Sequence, residues 1–188
     1  MNYLKFVVLI LLFTSASSNA SSPCREAFDA DDIRAVEICS SENSAESAEV
    51  LFIIGITLYE KESFEIAYNF FSLSGLYGYH ESKFFLGYME QNGIGTEKNQ
   101  SNAIFWYKDA AEHGIAEAQH NLAIAYTQGE GVIQDFVYAH VWFNIAGANG
   151  NQRSSEFRGK IEKLMTKDQI VDAQKIAREC MKNNYKNC

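Results

Sequence analysis

Four cysteines, Cys24, Cys39, Cys180 and Cys188, and four histidines, His80, His113, His120 and His140, are the residues of this chain best suited to redox, metal or nucleophilic chemistry. The cysteines fall as two close pairs, one near each end. An even number in a chain with an export-type N-terminus points to disulfides. The spacing favours Cys24–Cys39 and Cys180–Cys188, each stapling a terminus that has a neighbour on one side only; four cysteines admit three connectivities, and an end-to-end arrangement stays open. Unstrained loops of this size contribute roughly 2–3 kcal/mol each. A zinc site is not expected, because there is no Cys-x-x-Cys, no histidine lies near a cysteine, and His113 and His140 stand at spacings without a ligand pattern. Nucleophilic catalysis has no signature either: Gly-x-Ser-x-Gly, His-Glu-x-x-His and Ser-x-x-Lys are all missing from the chain. The loops Gly93-Ile94-Gly95 and Gly129-Glu130-Gly131 invite a phosphate-binding reading. Each joins two helical segments rather than following a strand, and neither carries the Lys-Ser/Thr of a P-loop, so they are expected to be structural turns. No cofactor is expected.

The N-terminus has Lys5 ahead of the apolar run Phe6–Phe13, then TSASSNASS. That run falls short of the ~20 residues of a stable membrane span. Small residues at Ser18 and Ala20 fit signal-peptidase cleavage after Ala20, so residues 1–20 are expected to be a signal peptide and the protein periplasmic or secreted, with no membrane anchor after cleavage. Cys24 could in principle take a lipid, but Pro23 occupies the preceding site, where lipidation wants a small residue. The rest of the chain is long enough for one domain with a real core. It is 13% aromatic, and Pro23 is the single proline, so nothing downstream interrupts long helices. Net charge is −8 for the whole chain. Residues 21–152 carry 19 acidic and 6 basic side chains, whereas residues 153–188 carry 9 basic and 5 acidic ones. An acidic body repels phosphates, which argues against nucleic acid as a partner.

Internal repetition organises the chain. Leu86, Gly93, Gly95, Ala103, Trp106, Ala110 and Gly114 recur 36 residues later as Leu122, Gly129, Gly131, Ala139, Trp142, Ala146 and Gly150. The frame extends backwards, since Ala67, Phe70 and Gly78 stand 36 residues before Ala103, Trp106 and Gly114. One step earlier the interval shrinks to 32, because Tyr59-Glu60-Lys61-Glu62 replaces the Gly-x-Gly loop with a tight turn. Such a period describes pairs of amphipathic helices, none of which can bury its apolar face alone. Helices are expected near 30–41, 44–59, 62–76, 80–91, 99–113, 116–128, 135–148, 151–164 and 167–183. Gly114 and Gly150 should end helices with a left-handed residue, and Thr166 with Gln169 should form a capping box. Ala103, Ala110, Ala139 and Ala146 allow close helix approach, and Trp106 and Trp142 are expected to fill the space between neighbouring pairs as core.

The pattern LGYMEQNGIGTEKNQSNAIFWYKDAAEHG followed by AEAQHNLAIAYTQGEGVIQDFVYAHVWFNIAGANG resembles two consecutive Sel-one-like repeats. Ala118, Leu122, Tyr126, Gly129, Gly131, Val132, Asp135, Ala139, Trp142 and Ala146 match that family's pattern, and the first copy departs from it at Glu90 and Thr96. The unit before them resembles a degenerate tetratricopeptide repeat, and the tail from Met165 is similar to the closing segment of bacterial exported members. The resemblance implies an all-α fold, a short right-handed α-solenoid of antiparallel helix pairs. Its parts would be an N-terminal capping helix over 21–43, a tetratricopeptide-like repeat over 44–79, Sel-one-like repeats over 80–114 and 115–150, and a C-terminal capping pair with tail over 151–188.

That resemblance also implies a working surface. First helices of such pairs line a concave face, which places Glu49, Glu81 and Glu117 in one row, Phe52, Phe84 and His120 in a second, and Ile56, Tyr88 and Ile124 in a third, flanked by Tyr59, Gln91 and Thr127. An apolar strip beside an acidic ladder suits a peptide or protein partner that carries apolar and basic residues. The expected function is therefore an exported interaction scaffold or adaptor without chemistry of its own. The alternative is a cell-wall-related enzyme or one that binds or hydrolyses β-lactams, as some cysteine-rich relatives do. Those relatives have a cysteine pair in every repeat, whereas none lies here between Cys39 and Cys180. A third reading, an effector delivered to a host, has no sequence mark of its own beyond the same signal peptide.

Overall fold

Helix after helix in this chain starts on a side chain that satisfies the free backbone N–H groups of its first turn. Ser44 accepts from Ser47 N in a reciprocal capping box, Asn99 from Asn102 N, and Asp135 from Val137 N and Tyr138 N. Asn151 accepts from Ser154 N, and Thr166 pairs with Gln169 in the expected capping box. The computed structural model describes residues 23–29, 35–42, 44–186 and 188; the signal-peptide reading of residues 1–20 lies outside them. Among the described residues there are helices and no strands. The α-helices are α1 (Pro23–Asp29), α2 (Ala35–Ser41), α3 (Ala45–Glu60), α4 (Phe64–Leu76), α5 (His80–Asn92), α6 (Gln100–Glu112), α7 (Ala116–Gln128), α8 (Phe136–Ala148), α9 (Gln152–Ile161) and α10 (Lys167–Lys182), with a 3-10 turn at Glu162–Leu164.

Consecutive helices pack as pairs, α3 with α4, α5 with α6 and α7 with α8, and each pair stacks on the next. The expected helices match these within a few residues, with two differences. The described part of the N-terminal cap is two short helices rather than one, and disulfide Cys24–Cys39 joins α1 to α2, both sulfurs fully buried. The helix expected over 151–164 breaks at Ile161 into the 3-10 turn. At the other end Cys180 is bonded to Cys188.

The turns owe their shape to glycine at specific places. Gly93 and Gly129 end α5 and α7 in the left-handed region, with φ of 67° and 74°. The second glycine of each loop serves a different purpose: a Cβ on Gly95 would collide with the backbone of Phe64, and one on Gly131 with the carbonyl of Gln100. Each loop thus lies against the start of the preceding second helix, which ties one repeat to the next. Where that loop is missing, Glu62 takes φ 61° to close the turn between α3 and α4.

The core follows the repeat. Ala103, Ala110, Ala139 and Ala146 are fully buried, as close helix approach requires. Trp142 is 2% exposed and shares a cluster with Ala173 and Ala177 of α10, which packs along α8. Trp106 corrects the expectation of two equivalent core tryptophans. It is half-buried at the edge of the Phe52–Phe71–Leu86 cluster, with Phe105 packed edge-on against it, and its Nε1 donates to Glu90 Oε1 at 3.1 Å.

Candidate functional site

Three first helices, α3, α5 and α7, border a cleft of about 320 Å³. Its walls come from the residues of α3 and α5 that face one another across the stack: Phe52, Ile56 and Tyr59 on one side, Phe84, Phe85 and Tyr88 on the other. Glu81, Ile115, Glu117 and Arg153 complete it. The apolar wall is locked from behind. Phe52 is 1% exposed and sits against Phe71, Tyr79 and Phe85, while Phe85 stacks on Phe71 with centroids 4.8 Å apart. The floor is therefore rigid, and the side chains that reach solvent are those at the lip. Tyr88 is 38% exposed and lies beside Phe84.

Carboxylates bias the electrostatics of this lip. The Tyr79 phenol is raised above its ordinary range, first by burial and then by Glu81 and Glu49. Tyr59 is raised as well, by burial and by the neighbouring Tyr88 hydroxyl. A surface of aromatic faces with Glu81 and Glu117 beside it attracts cations as well as apolar groups, and Arg153 borders it on one side.

The structure divides the twelve residues expected on the concave face. Phe52, Ile56, Tyr59, Glu81, Phe84, Tyr88 and Glu117 line the cleft, and Glu49 lies half-buried near Tyr79, behind Phe52. The remaining four do not. Gln91 accepts a hydrogen bond from the Tyr107 hydroxyl at 2.7 Å. Thr127 donates back to the carbonyl of Ala123 within α7, and Ile124 packs on the core of the second repeat. His120 is 3% exposed, with Nδ1 2.8 Å from Ser154 Oγ and its ring edge-on to Phe143 and Phe157. Burial, reinforced by Arg153, pushes its pKa down to about 4, so it is a neutral core imidazole. For His120 the physical reason is the capping unit: Ser154 and Phe157 of α9 cover it.

The sequence reading did not place Phe85 and Ile115 in the site. Phe85 adjoins Phe84 on α5 and could equally have been assigned to the core behind it, where its rings in fact pack. Ile115 belongs to the turn before α7, which no first-helix row contains. Elsewhere, His140 is fully buried with Nε2 2.9 Å from Glu162 Oε1. His80 and His113, far apart in sequence, stack ring on ring at 3.4 Å beside Asp109. No helix among the described residues is long and apolar enough to cross a membrane.

The family model described as Sel1 repeat matches residues 80–115 and 116–151. Among solved structures, the chain is similar to a protective antigen of uropathogenic Escherichia coli strains that displays the same repeat fold. The identity is 24%, the TM-score 0.72, and the match covers 95% of this chain and 38% of that one. A Sel1 repeat protein from Oxalobacter formigenes aligns over 72% of this chain and 58% of its own, at 25% identity and a TM-score of 0.60. The chain thus spans less than two thirds of either. No curated protein sequence matches it.

Proposed function

Because the chain is a Sel1 repeat protein of the tetratricopeptide-like superfamily, a fold that generally mediates protein–protein interaction, we propose that it is an extracytoplasmic scaffold that binds a peptide segment of another protein in the cleft between α3, α5 and α7. The observation that carries this reading is the cleft itself: a preformed apolar slot with aromatic walls and glutamates at the rim. Its volume lies at the small end of ligand sites. That suits a few inserted side chains of an extended or helical peptide, with apolar residues against Phe84 and Tyr88 and a basic residue toward Glu81. The paired cysteines and the export-type N-terminus support a location outside the cytoplasm. Sel1 repeat proteins are typically scaffolds without catalysis, and the buried His120–Ser154 pair offers no reachable nucleophile, since Ser154 is 0% exposed.

The test is a binding screen of peptides that combine apolar and basic residues, with the wild type beside Tyr88→Ala and Glu81→Lys. Binding by the wild type that falls at least tenfold in both folded variants supports the reading. Binding that both variants retain would move the working surface elsewhere on the solenoid.

A further inference from the structure

We propose that His80, Asp109 and His113 form a binding site for a divalent late transition-metal ion of the zinc type. The three residues meet because α5 and α6 are antiparallel. His80 opens α5, Asp109 lies in the last turn of α6, and His113 is the C-cap of α6. One donor atom from each lies within 4.8 Å of the others.

The distances are close to what an ion needs. His113 Nδ1 is 3.1 Å from Asp109 Oδ1 and 2.7 Å from the Asp109 carbonyl oxygen, to which it donates a hydrogen bond that must be given up when the metal enters, and His80 Nδ1 is 3.9 Å from the carboxylate. Tetrahedral zinc with bonds of about 2.0–2.1 Å holds neighbouring donors roughly 3.3 Å apart. Closing the 3.9 Å gap takes about 0.6 Å, together with a splaying of the imidazoles, now parallel within 9°. All three side chains are about a third exposed, at 31%, 29% and 33%, so they can turn without disturbing the core. Two imidazoles and one carboxylate form a donor set suited to such ions, and three protein ligands leave a fourth position for water or a ligand group.

Two further observations single this cluster out. His80 Nδ1 is buried and has no hydrogen-bond partner, an orphaned atom that faces the carboxylate at 3.9 Å. The repeat frame supplies the second. Thirty-six residues on, the same three positions are Ala116, Ile145 and Asn149. The fold is built there without a histidine or a carboxylate, so the trio is not required by the helix pair. Two cations stand against the ion. Lys83 Nζ is 3.0 Å from both Asp109 oxygens, and Lys186 Nζ is 3.2 Å from His113 Nε2. Lys83 must yield part of its hold on Asp109 when the metal enters, which supplies a diagnostic variant.

The experiment is titration of the untagged, chelator-stripped chain with Zn²⁺ at pH 7.5, followed by calorimetry, with Mg²⁺ as the control for general carboxylate binding. The expected result is one Zn²⁺ per chain, weakened tenfold or more by Asp109→Asn and by His113→Ala, with helicity checked by circular dichroism. Lys83→Ala should bind at least about threefold more tightly, because a positive charge near the ion is gone. No Zn²⁺ binding by the wild type overturns the proposal, as does binding unchanged by the two ligand variants. Should a ligand variant fail to fold, Lys83→Ala decides alone: tighter binding upholds the site, and equal or weaker binding overturns it.

Discussion

The two Sel1 repeats of this chain share their spacing but lead different lives. In the first, over 80–115, Trp106 is half-buried, Tyr88 reaches solvent, Glu90 is a buried carboxylate held by Tyr68 and Trp106, and an apolar cleft lies open. In the second, over 116–151, Trp142, His120, His140 and Phe143 are all within a few per cent of full burial. The residue equivalent to Glu90 is Tyr126, stacked on Tyr138. The difference comes from the helices packed on each repeat. The second repeat is roofed by α9 and α10, whose Ala173 and Ala177 enter its core, whereas the first lies between two repeats and meets the C-terminal tail only at its end, where Lys186 reaches Glu112 and His113. Identical motifs therefore become core or surface according to their position in the stack, and a binding surface is expected where the stack is left uncapped.

Truncating the two tryptophans tests this most directly. Trp142→Ala should cost about 3–5 kcal/mol in chemical denaturation, the usual range for a fully buried aromatic. Trp106→Ala should cost about half as much, since less area is lost, although Glu90 is left with one donor fewer. Equal losses would break the comparison.

Opening the cap is the next largest effect. A loop of this length contributes roughly 2.5 kcal/mol through its disulfide, so Cys180→Ser with Cys188→Ser should lower stability by about that amount. Tryptophan emission should red-shift on the Trp142 side before global unfolding, which a Trp106→Phe background isolates. A shift confined to Trp106 would contradict the roofing role of α10.

Acid should draw on the second repeat through His120. Burial favours neutral His120, so its folded pKa, about 4, lies below its ordinary value of 6.5. The unfolded chain then binds the proton more readily, and the contribution is complete above pH 6.5 and drains away as pH falls toward 4. The loss at pH 4 should be of the order of 2–3 kcal/mol. His120→Gln, which retains a partner for Ser154, should flatten that slope when melts are measured from pH 7 to 4. Tyr88→Ala should have the smallest effect on stability, below about 1 kcal/mol, because the residue is already at the lip. A large loss there would mean that Tyr88 is part of the core and not of an open cleft.

Sequence alone determined most of the helices and their pairing, but not the two short helices of the N-terminal cap or the break after Ile161. A 36-residue recurrence of alanines, tryptophans and turn glycines demands helix pairs that stack. The capping box at Thr166 and the positive-φ glycines Gly114 and Gly150 arise from local backbone chemistry that no distant residue alters. Of the residues that the family frame put on the concave face, Phe84 and Tyr88 line the cleft, whereas His120, Ile124 and Thr127 do not. His120 obeys the same periodicity and differs in that Ser154 and Phe157 of α9 lie against it. Periodicity states which side of a helix a residue occupies, but not whether another element covers that side. The meeting of His80 with Asp109 and His113 was hidden for a related reason: residues at opposite ends of antiparallel helices are adjacent in space and far apart in the chain, and only tertiary packing brings their donor atoms together.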